Sequence, residues 1–307
     1  MTAYDIKSAN IRKTWTLFTV SCLVVIGIGW ILSYVYQSSF IMYIAVILSV
    51  GTNIIAYWKS DAIALASYNA KKADPIVYRE LYRIVENLSI TAGIPQPSVY
   101  IIENDSPNAF ATGRNPKHAS IALTTGIIKQ LDKSELEGVI AHELSHVRNY
   151  DTLIMTVVVV LVGILSILSN IFMRVSFFGG GFGNSRNRSN NNNEGGNVVL
   201  FILGLVVIIL APIAGTLLQL AISRKREFVA DASGALLTRY PEGLARALQK
   251  ISSAQPFEKS KQATAHLFIE DPMHLDAIPQ EKIGFLKRLF MTHPPIQERI
   301  NALLNNK

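Results

Sequence analysis

The stretch VIAHELSHVRNYDTLIMTVVVVLVGIL, residues 139–165, joins two patterns that seldom adjoin. Its first part carries His142 and His146 four positions apart with Glu143 between them, and its second runs from Leu153 almost without a polar group. On a helix, positions i and i+4 share one face about one turn apart, so two imidazoles can hold one Zn2+. A carboxylate beside them can take a proton from water that the ion acidifies to a pKa of about 7. The apolar part is long enough to enter a bilayer. What surrounds this stretch decides whether the two patterns form one membrane-anchored site.

Half of the 307 residues are apolar and only 17% are charged, a balance that points to a membrane protein. Four stretches, Trp15 to Tyr36, Phe40 to Trp58, Leu153 to Met173 and Val198 to Ile222, approach or exceed the roughly 20 residues that an α-helix needs to cross a bilayer. Lys7, Arg12 and Lys13 ahead of the first would suit a secretory signal. The apolar core outruns the roughly 7–15 residues of a signal, however, and no small-residue cleavage site follows. An uncleaved hairpin turning at Gln37, Ser38 and Ser39 is expected. Basic residues at the N-terminus, between spans two and three (Lys59, Lys71, Lys72, Arg79, Arg83) and after span four (Arg224, Lys225, Arg226) place those segments in the cytoplasm; Arg174, Arg186 and Arg188 argue the other way. The net charge of +7 clusters beside the spans without an aromatic-basic strip, so anionic lipid is the expected partner and nucleic acid is not. A single cysteine, Cys22 inside the first span, excludes an internal disulfide framework and any cysteine-based zinc knuckle.

Two mixed segments remain for the soluble part. Residues 74–92 read as a helix, with Pro75 in its first turn, Leu81, Ile84, Val85 and Leu88 at helical spacing, and Gly93 at its end. SVYIIE (98–103) and ASIALTT (119–125) read as strands, separated by the turn-rich NDSPNAFATGRNPKH. Ser134 with Glu137 forms a capping box, and Leu136, Val139, Ile140 and Val147 give an apolar face, so one helix is expected to carry the histidines and run on into the third span. Residues 177–197, rich in Asn and Gly, read as a low-complexity loop.

A catalytic zinc site needs three protein ligands and one open position. None of the other histidines, His118, His266, His274 and His293, follows the motif at short spacing. Glu227 and Asp231, four apart in SRKREFVADASGALL, offer instead a third ligand and a carboxylate to hold a ligand imidazole by its second ring nitrogen; an ordinary charged helix surface is the plainer reading of that pair alone. Heights favour the pair. At 1.5 Å per residue, His146 and His142 stand roughly 10 and 16 Å beyond Leu153, and Glu227 about 12 Å beyond Gln219. In MTHPPIQERI (291–300), Pro294 and Pro295 force an extended or turn geometry at His293 and a helix starts at Ile296, so His293 and Arg299 can approach the site as cationic donors to an oxyanion; an exposed loop histidine is the plainer alternative.

These ordered motifs, namely the hairpin, SPNAFATG, VIAHELSHVRNYD, two further spans, SRKREFVADASGA and THPP, closely resemble the HtpX heat-shock family of integral-membrane zinc metallopeptidases, relatives of the CAAX-prenyl endopeptidases. The resemblance covers nearly the whole chain. It implies a mainly α, integral-membrane fold of about four transmembrane helices with a cytoplasmic α+β zincin-like (gluzincin) domain that contains a small sheet. Its layout would be a hairpin at 1–58, the first catalytic part at 59–152, two spans and their loop at 153–222, and the second catalytic part at 223–307. It also implies one Zn2+ held by His142, His146 and Glu227, with Glu143 as general base, Asp231 behind a ligand, and His293 and Arg299 assisting the transition state. Asn108 and Ala109 would line an edge strand that pairs with extended substrate. The implied task is cleavage of damaged or misfolded membrane proteins at the cytoplasmic face of the bacterial plasma membrane as part of a stress response. The Asn/Gly-rich loop is a departure from the family pattern. Two other classes compete: a transporter, disfavoured because the spans contain no ionisable pair, and a scaffold with a closed structural metal, disfavoured by the intact Glu143.

Overall fold

A computed structural model describes residues 3–35, 37–158, 160–162, 224–254, 267–269 and 294–305. Most of the third expected span, the whole of the fourth, the loop at 177–197, His266, His274 and His293 lie outside these residues. Helices α1 (Ala3–Val35) and α2 (Ser39–Ser67) form the expected hairpin, which reverses at Gln37 with φ 49°. Both are long and apolar enough to cross a membrane. A helix central to a soluble core would be mostly covered, yet only 17% of the most apolar window of α2 is buried. Trp15, Leu23, Trp30, Tyr43 and Ile47 stand exposed, a surface suited to hydrocarbon and its interface. The two helices come together at Gly29, where an added Cβ would collide with that of Ala45.

Beyond the hairpin lies a four-stranded sheet of β1 (Lys71–Lys72), β2 (Ser98–Ile102), β3 (Ala109–Gly113) and β4 (Ala119–Thr124), in the order β1-β2-β4-β3. β2 and β4 are parallel, and the two outer pairs are antiparallel. Strands β2 and β4 fall where alternation placed them; β3 arises inside the segment that composition reads as turns. Its five residues are all buried, because elements pack on both faces. Ala109 and Ala111 join the cluster formed by α3 and the histidine-bearing helix, whereas Phe110 packs with Leu65 and Tyr68 from the end of α2 and with Met155. Helix α3 (Arg79–Ala92) starts five residues later than expected, since Asp74 Oδ1 accepts from the Ile76 amide and holds a turn first. It ends as expected at Gly93, whose φ of 68° is left-handed.

After β4 come α4 (Thr125–Gln130) and α5 (Lys133–Arg148). The cap of α5 is not the expected Ser134–Glu137 box. Asp132 Oδ1 accepts from the Glu135 amide and Glu135 Oε2 accepts from the Asp132 amide, 2.9 Å each, so the same chemistry begins two residues earlier. Nor does α5 run on into the apolar stretch. It stops at Arg148; Asn149 caps it, Tyr150 takes φ 61°, and α6 (Asp151–Val162) starts afresh. A non-glycine residue in that region interrupts the helical ladder, and heights counted along one axis through residue 153 no longer apply.

Among the described residues, helices α7 (Arg224–Thr238), α8 (Pro241–Ser252) and α9 (Ile296–Asn305) follow. Leu244, Leu248 and Ile251 of α8 and Leu81, Ile84 and Val85 of α3 enclose Val139, Ile140 and Leu144 of α5 in one core. Each such aliphatic side chain contributes roughly 1.5–3 kcal/mol when fully buried. Close approach is set at Gly234, where a Cβ would come within 3.0 Å of the His142 backbone nitrogen. That contact brings α7 onto the histidines.

Candidate metal centre

Within α5, His142, Glu143 and His146 are each at most 4% exposed. The imidazoles meet with their Nε2 atoms 3.1 Å apart and their rings nearly perpendicular. Glu227, two turns before Gly234 on the same face of α7, places Oε2 3.7 Å from His142 Nε2 and Oε1 3.6 Å from His146 Nε2. One ligand atom from each of the three lies within 4.8 Å of the others.

The opposite ring nitrogens are also engaged. Asp231 Oδ1 is 2.9 Å from His142 Nδ1, and Asp151 Oδ2 is 3.1 Å from His146 Nδ1. A carboxylate at Nδ1 fixes the proton there and leaves the Nε2 lone pair facing inward. Two ring nitrogens so presented and a carboxylate converging on one point can hold a cation between them. With both histidines neutral, as ligands to an ion would be, buried Glu143, Glu227, Asp231 and Asp151 face buried Arg226 and Arg299 among the described residues, an excess of two negative charges that a divalent ion would neutralise. A donor set of two imidazoles and one carboxylate suits zinc and its neighbours among the transition metals. The residues therefore fit a metal.

Arg299, entirely buried at the start of α9, reaches across this centre. Its Nε and Nη2 donate to the two oxygens of Asp231 at 2.8 and 2.7 Å, and Nη1 donates to the Ile269 carbonyl at 2.8 Å and lies 3.8 Å from Glu227 Oε2. Burial pushes the Asp231 carboxyl up, but the Arg299 charge and the hydrogen bonds from Arg299 and His142 outweigh it and hold it at about 2. Burial pushes both imidazoles down. For His142 it prevails, whereas for His146 the hydrogen bond to Asp151 and the charges of Glu227, Asp151 and Glu143 overcome it and push the ring up to about 9.

The residues expected to line a substrate edge are engaged within the chain. The Asn108 amide donates to Thr124 Oγ1 and its carbonyl accepts from the Thr124 amide, while its side-chain Oδ1 accepts from the Ala109 amide. The Ala109 carbonyl accepts from the Ile269 amide at 3.0 Å, and Phe110 forms an antiparallel bridge with Phe268. So β3 is an edge within the sheet, but residues 267–269 lie along it. His118 is exposed and hydrogen-bonds locally to Asn115.

Sequence reasoning missed Asp151, whose only signal was a polar Asn-Tyr-Asp step ahead of the apolar run. In a continuous helix, positions 146 and 151 would point about 140° apart; the turn at Asn149 and Tyr150 lets residue 151 fold back onto residue 146.

A His-His-Glu centre beside a small sheet, joined to a membrane hairpin, defines a membrane metallopeptidase. The family model described as Peptidase family M48 matches residues 75–307. A protein named Protease HtpX homolog from Thermoanaerobacter pseudethanolicus is 44% identical over 307 residues, covering 98% of this chain and 97% of its own. Another of that name from Streptococcus gordonii is 41% identical, covering 96% and 97%. The chain belongs to peptidase family M48, as the resemblance of its motifs implied. In fold it is similar to the crystal structure of S. mikatae Ste24p, with a TM-score of 0.51 at 20% identity over 95% of this chain and 66% of that one.

Proposed function

We propose that the chain is a zinc endopeptidase that cleaves damaged or misfolded membrane proteins near the cytoplasmic face of the bacterial plasma membrane, where it would sit as a multi-pass protein. The observation that carries this reading is the convergence of His142, His146 and Glu227 within 4.8 Å beside an intact Glu143. His142, His146 and Glu227 would hold the ion, which when bound supplies a Lewis acid that acidifies water and polarises the scissile carbonyl. Glu143 takes a proton from the attacking water and hands it to the leaving amide nitrogen. Asp231 and Asp151 keep the two imidazoles in the tautomer that presents Nε2 to the ion.

Arg299, which the family resemblance linked to the transition state, we assign to positioning, because Nε, Nη1 and Nη2 each have a partner among Asp231 and Ile269. His293, outside the described residues, keeps the proposed role of a donor to the oxyanion. Substrate would enter as an extended strand at Asn108 and Ala109, for which Leu267–Ile269 must give way at the Ala109 carbonyl. The layout proposed with this reading keeps spans at 153–173 and 198–222 joined by the 177–197 loop, with catalytic parts at 59–152 and 223–307.

The test is Glu143→Gln in the full chain, assayed with an unfolded membrane protein as substrate and by metal analysis. Zinc at one equivalent with cleavage lost is expected. Persistent proteolysis by that variant would overturn the assignment.

A further inference from the structure

The turn that carries Asp151 is gripped from the membrane hairpin. Asn10, on α1 and 2% exposed, donates from Nδ2 to Asp151 Oδ1 at 2.7 Å and to the Asn149 carbonyl at 2.9 Å. One helical turn before it, Lys7 Nζ lies 4.7 Å from the centre of the Tyr150 ring. All three residues of the α5–α6 turn are therefore held by one short segment of α1. Asn10 lies outside residues 75–307, which the family model matches.

We propose that Asn10 is a positioning residue of the metal centre, acting through Asp151 on His146. The proposal rests on the reading that His146 holds the ion. The Asp151 carboxylate has two oxygens and two tasks: Oδ2 receives the His146 Nδ1 proton, and Oδ1 is fixed by the Asn10 amide, with Arg226 Nη1 at 3.6 Å. Oδ1 thus acts as the pivot that aims Oδ2. Because the same amide group also holds the Asn149 carbonyl, it couples the carboxylate to the backbone turn that brings residue 151 back onto residue 146. Without that group, Asp151 is free to rotate toward Arg226 and His146 loses its fixed ring orientation. The first membrane helix is then part of the machinery that retains the ion, and its removal weakens the centre even though it contributes no ligand.

Partners one shell behind the ligands typically change metal affinity by roughly 10–100-fold. Asn10 stands one step further out, so roughly tenfold is expected. The experiment measures Zn2+ affinity by chelator competition on the full chain in bilayer nanodiscs, for wild type, Asn10→Ala, Asn10→Asp and Asp151→Ala, and for the double variant Asn10→Ala/Asp151→Ala. Asn10→Asp keeps the shape, removes the donor and faces a carboxylate with another, so it reports the hydrogen bond even where Asn10→Ala fails to fold. Thr14→Ala, on the same helix and equally buried, whose hydroxyl donates to the Asn10 carbonyl, controls for packing. Weaker Zn2+ binding in both Asn10 variants, unchanged binding in Thr14→Ala, and no added loss from Asn10→Ala once Asp151 is gone are expected. Equal loss in the Asp151→Ala background, or lowered melting temperature with unchanged Zn2+ affinity, overturns the proposal. His146→Ala run alongside separates the two readings: if it leaves Zn2+ affinity intact, the ligand assignment itself has failed.

Discussion

Asp231 serves two partners at once, and this gives its substitution a calculable cost. It accepts both hydrogen bonds of the Arg299 fork and faces His142 Nδ1. In Asp231→Asn, a guanidinium with no exposed surface keeps its charge and loses the carboxylate it hydrogen-bonds, leaving Glu227 Oε2 at 3.8 Å as its charged neighbour. Breaking one side of a buried pair costs about 3–5 kcal/mol, and a ligand losing its carboxylate partner gives up roughly 10–100-fold in metal affinity. Chemical denaturation and a Zn2+ titration of Asp231→Asn should show both losses together. Arg226 completes the same pattern at His146 through Asp151. Each histidine thus has a carboxylate behind it, and each carboxylate has an arginine nearby.

Among the elements, the α5–α6 break and the β3 edge decide most about the site. A single straight helix would carry both histidines but could not return Asp151 to His146. At the edge, Phe268 is 1% exposed and packs edge-to-face against Tyr68 and Phe110, with ring centres 4.9 and 5.1 Å away. Truncating such a side chain costs about 3–5 kcal/mol, and here that energy holds Leu267–Ile269 on the strand. If substrate pairs with the same strand, Phe268→Ala lowers the competition, and the KM for an unfolded polypeptide should fall several-fold while thermal melting shows a folded protein. An unchanged or higher KM would mean that the segment is a fixed wall and substrate lies elsewhere.

At the scale of the whole molecule, the sheet lies between the core of α3, α5 and α8 on one face and the end of α2 with Met155 on the other. The hairpin is thus packed onto the part of the protein that carries the candidate metal centre. If His142, His146 and Glu227 hold an ion as proposed, its binding is part of the protein's stability. At a free Zn2+ concentration 1,000 times the Kd, linkage supplies about 4 kcal/mol. Chelation should lower the melting temperature, and Zn2+ should restore it where Mg2+ does not, because imidazole ligands favour the softer ion. Equal rescue by Mg2+ would argue for a different site.

Sequence alone determined what local rules can encode: the hairpin, from run length and a polar turn; α3 with its terminal Gly93; β2 and β4, from alternation; and the paired spacings of His142 with His146 and Glu227 with Asp231, from helical period. It misplaced the cap of α5 by two residues because Asp132 and Ser134 offer the same chemistry. Tertiary structure decided the rest. Strand β3 is a strand because α5 and α2 cover its two faces, against the turn-rich composition around it. Asp151 and Asn10 became partners across 141 positions of sequence, a distance over which periodicity carries no signal. A side chain's secondary structure follows from its near neighbours, whereas the partner of a buried carboxylate is whatever packing brings within hydrogen-bond reach.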